Sequence, residues 1–271
     1  MRGAPQVRPT CILCGSEGLT RSHIYGRTLR AEFGQERAAH HTLTNVDGRA
    51  EATVDRWESG IGMIFSQGKW LCYECNNVWM AGLEDAALPT VVNIIRGESV
   101  YFDRATTEAV ASWAIIASIL RAQLVPDGEP YAPAAARRFR QDGLEAAEAA
   151  VWLVSAAEDP TVRAPGTAAS SYWRAPDLSG GIAQHWLKSL CVVVASGDHR
   201  DRVAERIWTL RDAALPLYPP AETRRWPSGR SAPDRVLMRA TGLDERTVAA
   251  RAAFRPTERP PAGRTRTIIP L

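Results

Sequence analysis

Two short cysteine pairs constrain this chain more than any other feature. Cys11-Ile-Leu-Cys14 and Cys72-Tyr-Glu-Cys75 each have Cys-x-x-Cys spacing, and 57 residues separate them. Four thiolates on two such knuckles suit one tetrahedral zinc ion, which would clamp together the ends of the intervening segment. The long insertion favours zinc over an iron–sulfur cluster, and the competing explanation is four unrelated core cysteines. A four-thiolate zinc is coordinatively closed, so it can scaffold a site but has no open position for a reacting water. Metal-assisted chemistry would need a second ion. The fifth cysteine, Cys191, sits in the apolar run Ser189–Ala195 and reads as core.

Cysteines used this way point to a reducing compartment. No run approaches the ~20 apolar residues that span a bilayer, and the first ten residues lack the apolar core of a signal peptide. The expectation is a cytoplasmic protein with no membrane segment. With 271 residues, 45% of them hydrophobic, the chain can bury the core of one or two domains. Net charge is only +3, but its distribution is uneven. From Glu222 to Leu271, 11 Arg face 5 acidic residues; from Met1 to Asp85, 9 Lys/Arg face 10. A basic C-terminal fifth reads either as a solvated arm or as a phosphate contact. Only Lys69 and Lys188 are lysines, an arginine bias that fits a GC-rich genome of actinobacterial or phage type.

Three segments follow from the patterning: a knuckle-bearing domain over 1–90, a helical and mixed α+β domain over 91–219, and an Arg/Pro-rich segment over 220–271. Within the first, His41–Val46 and Ala52–Trp57 flank an Asp-Gly turn signal and predict a β-hairpin. A helix is expected from Asn76 to Ala87, ending before Pro89. Glu108–Leu124 is apolar on most faces and predicts a buried central helix. Asp142–Leu153 reads as a helix or a helix-to-strand join. Ser170–Arg174 and Ser189–Ala195 are strand-like, Asp201–Ala214 is an amphipathic helix, and short helices are expected at Asp234–Thr241 and Glu245–Phe254. The fold class is therefore α+β.

The residues that carry chemistry lie around the knuckles. His23, in Thr20-Arg-Ser-His23, falls inside the loop that a metal would close, and so near Asn76, Asn77 and the helix bearing Glu84. On a regular α-helix, 76, 80 and 84 share a face, as do 77, 81 and 84. One imidazole opposite carboxamide and carboxylate oxygens can activate water and hold a hard divalent cation.

Cys11-x-x-Cys14, Thr20-x-Ser-His23 and Leu71-Cys-x-Glu-Cys-Asn-Asn-x-Trp-Met-x-x-Leu-Glu84 together resemble the zinc-knuckle branch of the HNH endonucleases. More narrowly, they are similar to a bacterial and phage group whose second knuckle runs Cys-Asn-Asn into Trp-Met and Leu-Glu. The resemblance implies a zinc-stabilised ββα-metal domain, a β-hairpin and helix gripping one Mg²⁺ or Mn²⁺. His23 is then the general base that deprotonates water, and Asn76 the helix residue that helps bind the ion. Asn77, Glu84 and Ser22 are supporting residues or candidate ligands. The family usually places an acid where this chain has Ser22, and an Asn before the second knuckle where it has Ser66 and Gln67.

The function implied is metal-dependent hydrolysis of DNA phosphodiester bonds, compatible with phage or bacterial defence. The alternative is a catalytically degenerate, zinc-stabilised module that binds nucleic acid or a protein partner, or assembles as a homo-oligomer; a purely structural role is the third. His40 and His41 point to opposite faces of one strand, and His185 and His199 have no partner at ligand spacing. No phosphate loop, dinucleotide-binding glycine pattern or Gly-x-Ser-x-Gly elbow is present.

Overall fold

Leu190-Cys-Val-Val-Val-Ala-Ser196 is apolar at nearly every position, the pattern of a strand covered on both faces. All seven residues are buried. The structure, a computed structural model, describes residues 9–33, 39–46, 49–57, 67–123, 133–157, 168–173, 179–219, 224–226, 231–233, 236–237, 240 and 264–270. In chain order the elements are β1 (Leu19–His23), α1 (Arg27–Phe33), β2 (Ala39–Val46), β3 (Arg49–Trp57) and β4 (Gln67–Cys72), then a π-helical turn (Glu74–Met80) running into α2 (Ala81–Ile95). There follow β5 (Val100–Phe102), α3 (Arg104–Ala122), α4 (Pro133–Asp142), a 3₁₀ turn (Leu144–Ala147), β6 (Ala149–Ala157), β7 (Ala168–Trp173), β8 (Ile182–Leu187) and β9 (Leu190–Ser196). The last elements are α5 (His199–Trp208), β10 (Ala214–Tyr218), β11 (Arg224–Trp226), β12 (Ala232–Pro233) and β13 (Arg264–Pro270). Helix and sheet are mixed, in keeping with the α+β expectation.

Most strands join one nine-stranded sheet ordered β10-β6-β9-β8-β7-β2-β3-β13, with β12 on β6. It draws strands from all three sequence segments. β2 and β3 form the expected antiparallel hairpin, with Val46 opposite Arg49. Side-chain alternation divides the core in two. Val151 and Leu153 of β6 point to the face covered by α3. Ala150, Trp152 and Val154 point to the other, against Val203 and Ile207 of α5 and beside the buried Cys191.

Helix α3 is the centre of the larger core. Asp103, in extended conformation, caps it by accepting a hydrogen bond from the Thr106 N–H at 2.8 Å. Trp113, Ile115, Ile116, Ile119 and Leu120 are fully buried between α2 and the sheet. Each such side chain contributes about 1.5–3 kcal/mol through removal from water.

Two elements depart from the patterning, and a third, Asp142–Leu153, takes the helix-to-strand form that was one of its two expected forms. The helix expected to stop before Pro89 continues to Ile95. Proline forfeits one backbone hydrogen bond, but burial of Leu88, Val91, Val92, Ile94 and Ile95 along the same helix offsets that loss. Helix Glu74–Ile95 has the length and mean hydropathy of a membrane span, with 39% of that apolar window buried, and it carries a knuckle cysteine and three acids. Asp142–Leu153 resolves into the end of α4, a 3₁₀ turn and β6, because Gly143 at φ +80° breaks the helix. The Arg/Pro-rich segment contributes structure: β11 pairs with β5, and its Trp226 is 3% exposed. The short helices expected there lie largely outside the described residues; Val236 and Leu237 are helical.

Candidate metal centre and the adjoining histidine face

The first knuckle is a tight turn preceding β1. Gly15 at φ +80° closes it, the Gly15 N–H donates to the Cys11 carbonyl at 2.8 Å, and the Cys11 N–H donates to the Ser16 carbonyl at 2.8 Å. The second knuckle joins β4 to the π turn, with Cys72 ending the strand and Cys75 buried in the turn. What brings them together is the antiparallel pairing of β1 with β4, in which Leu19 lies opposite Cys72. A bulge falls opposite Thr20 and Arg21, leaving Trp70 as the extra residue of β4. The carbonyl freed there accepts a hydrogen bond from the Ile12 N–H at 3.1 Å, fastening one knuckle to the strand that carries the other.

The four sulfurs lie within 4.8 Å of one another, and Cys14 and Cys72 approach to 3.5 Å. Zinc–sulfur bonds of about 2.3 Å in a tetrahedron put sulfurs about 3.8 Å apart, so the cluster fits one ion with little adjustment. All four are free of disulfides, and three are buried. Burial raises the Cys14 thiol, but hydrogen bonds from Ser16, Cys72 and Cys11 outweigh it and bring Cys14 to about 6. Burial pushes the Cys72 and Cys75 thiols up. One ready thiolate among crowded thiols is the electrostatic condition that a cation relieves. The four cysteines can therefore hold a metal ion. Among the described residues they are also the only cluster of three or more His, Cys, Asp or Glu side chains able to do so.

His23 ends β1, opposite Gln67 in the pairing register. Asn76, in the first turn after the knuckle, donates its carboxamide N–H groups to Thr20 Oγ1 and to the Arg21 carbonyl, each at 3.0 Å. The side chain therefore pins the start of the helix to the strand bearing His23. Because Glu74–Met80 is π-helical, residues four apart no longer stack as on an α-helix. Met80 is buried at 3% exposure, Asn77 is exposed, and Asn76 and Glu84 are half-buried. The equal stacking of 76, 80 and 84 expected from the sequence is not what forms.

Glu84 instead reaches the turn just after His23. Its carboxylate accepts the Gly26 N–H, and a Cβ on Gly26 would meet Glu84 Oε2 at 2.5 Å, so this close approach requires glycine. Burial, reinforced by the neighbouring Asp85, raises the Glu84 carboxyl to about 7 despite the Gly26 hydrogen bond. Its Oε1 is buried with no hydrogen-bond partner among the described residues.

Ser22 takes the opposite course. It is fully buried, and its Oγ also has no partner among the described residues. A Cβ on Gly68, its cross-strand neighbour, would lie inside the Trp70 ring, so the bulged indole covers this face of the strand pair. Ser22 thus faces the core while its neighbours Arg21 and His23 alternate to the other side, Arg21 exposed and His23 half-buried.

Sequence reasoning missed a buried polar chain two residues past His23. The Tyr25 hydroxyl bonds to His185 Nδ1, and His185 Nε2 bonds to Ser118 Oγ at 2.9 Å. Ser118 itself donates to the Ala114 carbonyl at 2.8 Å. That direction fixes the rest: Nε2–H donates to Ser118, Nδ1 accepts from Tyr25, and the imidazole is neutral. Burial, with the nearby Arg121 guanidinium, lowers His185 to about 3, and burial raises the Tyr25 hydroxyl. The three residues come from β1's trailing turn, α3 and β8, separations no local pattern betrays. Ring contacts of Tyr25 with Trp113 and of Trp79 with Phe139 complete the packing of the knuckle unit on the helices.

No known protein family, curated protein or solved structure matches the chain.

Proposed function

We propose that the chain is a nucleic-acid phosphodiester hydrolase of the HNH type, with the four cysteines holding a structural zinc. The observation that carries this reading is a grouping of elements: β1 ending in His23, its antiparallel partner β4, and a helix that starts without a loop at the second knuckle. With α1, β2 and β3 inserted between the two strands, this spatial grouping of two strands and a helix supports the reading as a ββα-metal unit. Asn76 ties the helix to β1, and Glu84 descends from the same helix onto Gly26.

In this reading the His23 imidazole takes the proton from an attacking water, the role in which histidine is the side chain most often used. Asn76 and the Glu84–Gly26 contact hold the histidine-bearing turn against the helix. A Mg²⁺ or Mn²⁺ ion would supply charge neutralisation at the phosphate. The fit to such an ion is incomplete. His23 and Glu84 are two candidate donors, no third His, Asp or Glu joins them among the described residues, and Ser22 faces the core. Supercoiled plasmid incubated with Mg²⁺, Mn²⁺ or Ni²⁺ tests the proposal: nicking is expected for the native chain and loss of at least a hundredfold in rate for His23→Ala. Equal rates for the two, or no cleavage, would remove the assignment.

Buried Ser22 favours a second reading, a ββα-like module that binds nucleic acid or a protein without cutting. It predicts no heat on titrating the zinc-loaded chain with Mn²⁺.

A further inference from the structure

The bulge that covers Ser22 also decides what the opposite face of the β1–β4 pair presents. Arg21 and Lys69 are register partners across the two strands, and both are exposed. Directly opposed residues of an antiparallel pair have Cβ atoms about 4.5–5.5 Å apart, and like charges so placed destabilise the pair. Neither cation belongs to the ion pairs Arg96–Glu32, Arg104–Glu108 or Arg138–Glu148. Two residues along β1, on the same side as Arg21, stands His23. The trailing turn is tied down by Tyr25 and the leading helix by Asn76, so the cation pair is presented on a braced support.

A face that opposes two cations at a cost in stability, beside a half-buried histidine, is complementary to closely spaced anions. We propose that Arg21 and Lys69 form a two-point clamp for phosphates of a nucleic-acid backbone, seating a phosphodiester on the face that carries His23. A neutral amide at either position would pair across the strands at least as well, which is why the arrangement points to a ligand rather than to the fold. The placement beside His23 rests on the hydrolase reading; the phosphate clamp does not require cleavage.

The test is fluorescence anisotropy of the full chain with a labelled 20-base-pair duplex, without added divalent ions, from about 50 to 300 mM KCl. Arg21→Gln/Lys69→Gln is expected to weaken binding at least tenfold near 100 mM salt. It should lower the slope of log K against log salt by about 2, close to 0.9 for each phosphate no longer neutralised. Arg21→Glu should bind more weakly still yet melt at or above the native temperature, because it replaces repulsion with attraction across the pair. Unchanged affinity and slope in the double variant would overturn the clamp, as would no binding by the native chain. So would an Arg21→Glu chain that loses binding only because it unfolds. The two proposals separate cleanly. Binding that depends on Arg21 and Lys69 without any cleavage keeps the clamp and removes the hydrolase; cleavage with binding indifferent to both does the reverse.

Discussion

Glu84 shows how one carboxyl can be held near its switching point. Its folded value of about 7 lies above the ordinary 4.5 because burial outweighs the single Gly26 hydrogen bond. Between those values the folded state binds more protons than the unfolded one, so stability falls as pH rises through this window. Glu84→Gln, neutral throughout, should match the native chain at pH 5 and exceed it by about 1–3 kcal/mol at pH 8. Urea melts at the two pH values would show it, and a constant difference would refute the shift. His185 behaves in the opposite sense. Its folded value of about 3 lies below the ordinary 6.5, so its contribution is full above pH 6.5 and drains away as pH falls toward 3. His185→Phe should flatten that acid limb. It should also cost about 1–3 kcal/mol at pH 7 by stranding the Tyr25 hydroxyl, readable by chemical denaturation.

At the scale of elements, the knuckles and β1–β4 stand or fall together. The cysteines are presented by the strand pair, and the first knuckle is fastened to it by the Trp70 carbonyl. Chelation, or Cys75→Ser, should therefore melt this unit first, lowering its transition by several degrees while α3 and the central sheet persist. Metal analysis of the native chain should give one zinc per chain, and hydrogen exchange would locate the loss. The sequence made part of this legible. Cys-x-x-Cys spacing marked the four cysteines that cluster, uninterrupted apolar runs marked α3 and β9, and the Asp-Gly turn marked the β2–β3 hairpin. The π turn was not legible, because its i→i+5 pattern leaves no composition of its own. Nor was the passage of α2 through Pro89, where tertiary burial overrode local propensity. Ser22 sits beside the histidine in sequence but behind it in space, because a bulge turned Trp70 across that face.

For the whole molecule, the long insertion between the knuckles is the organising fact. Between β1 and β4 in chain order, β2 and β3 join the nine-stranded sheet. A metal ion held by the four cysteines would staple an insertion whose strands are held elsewhere, and Tyr25–His185 ties the knuckle unit to the sheet. None of this was readable from periodicity, since strand order depends on pairings between residues far apart along the chain. The same holds for β13, which pairs with β3 so that Arg264 lies opposite Trp57. Those partners are 264 − 57 = 207 residues apart. At synthesis rates of about 5–20 residues per second, β3 waits roughly 10–40 s on the ribosome before the strand that covers it exists. Through that interval its outer edge is an open template for any passing strand, so the yield of this protein in a cell should be governed by what shields that edge in the meantime.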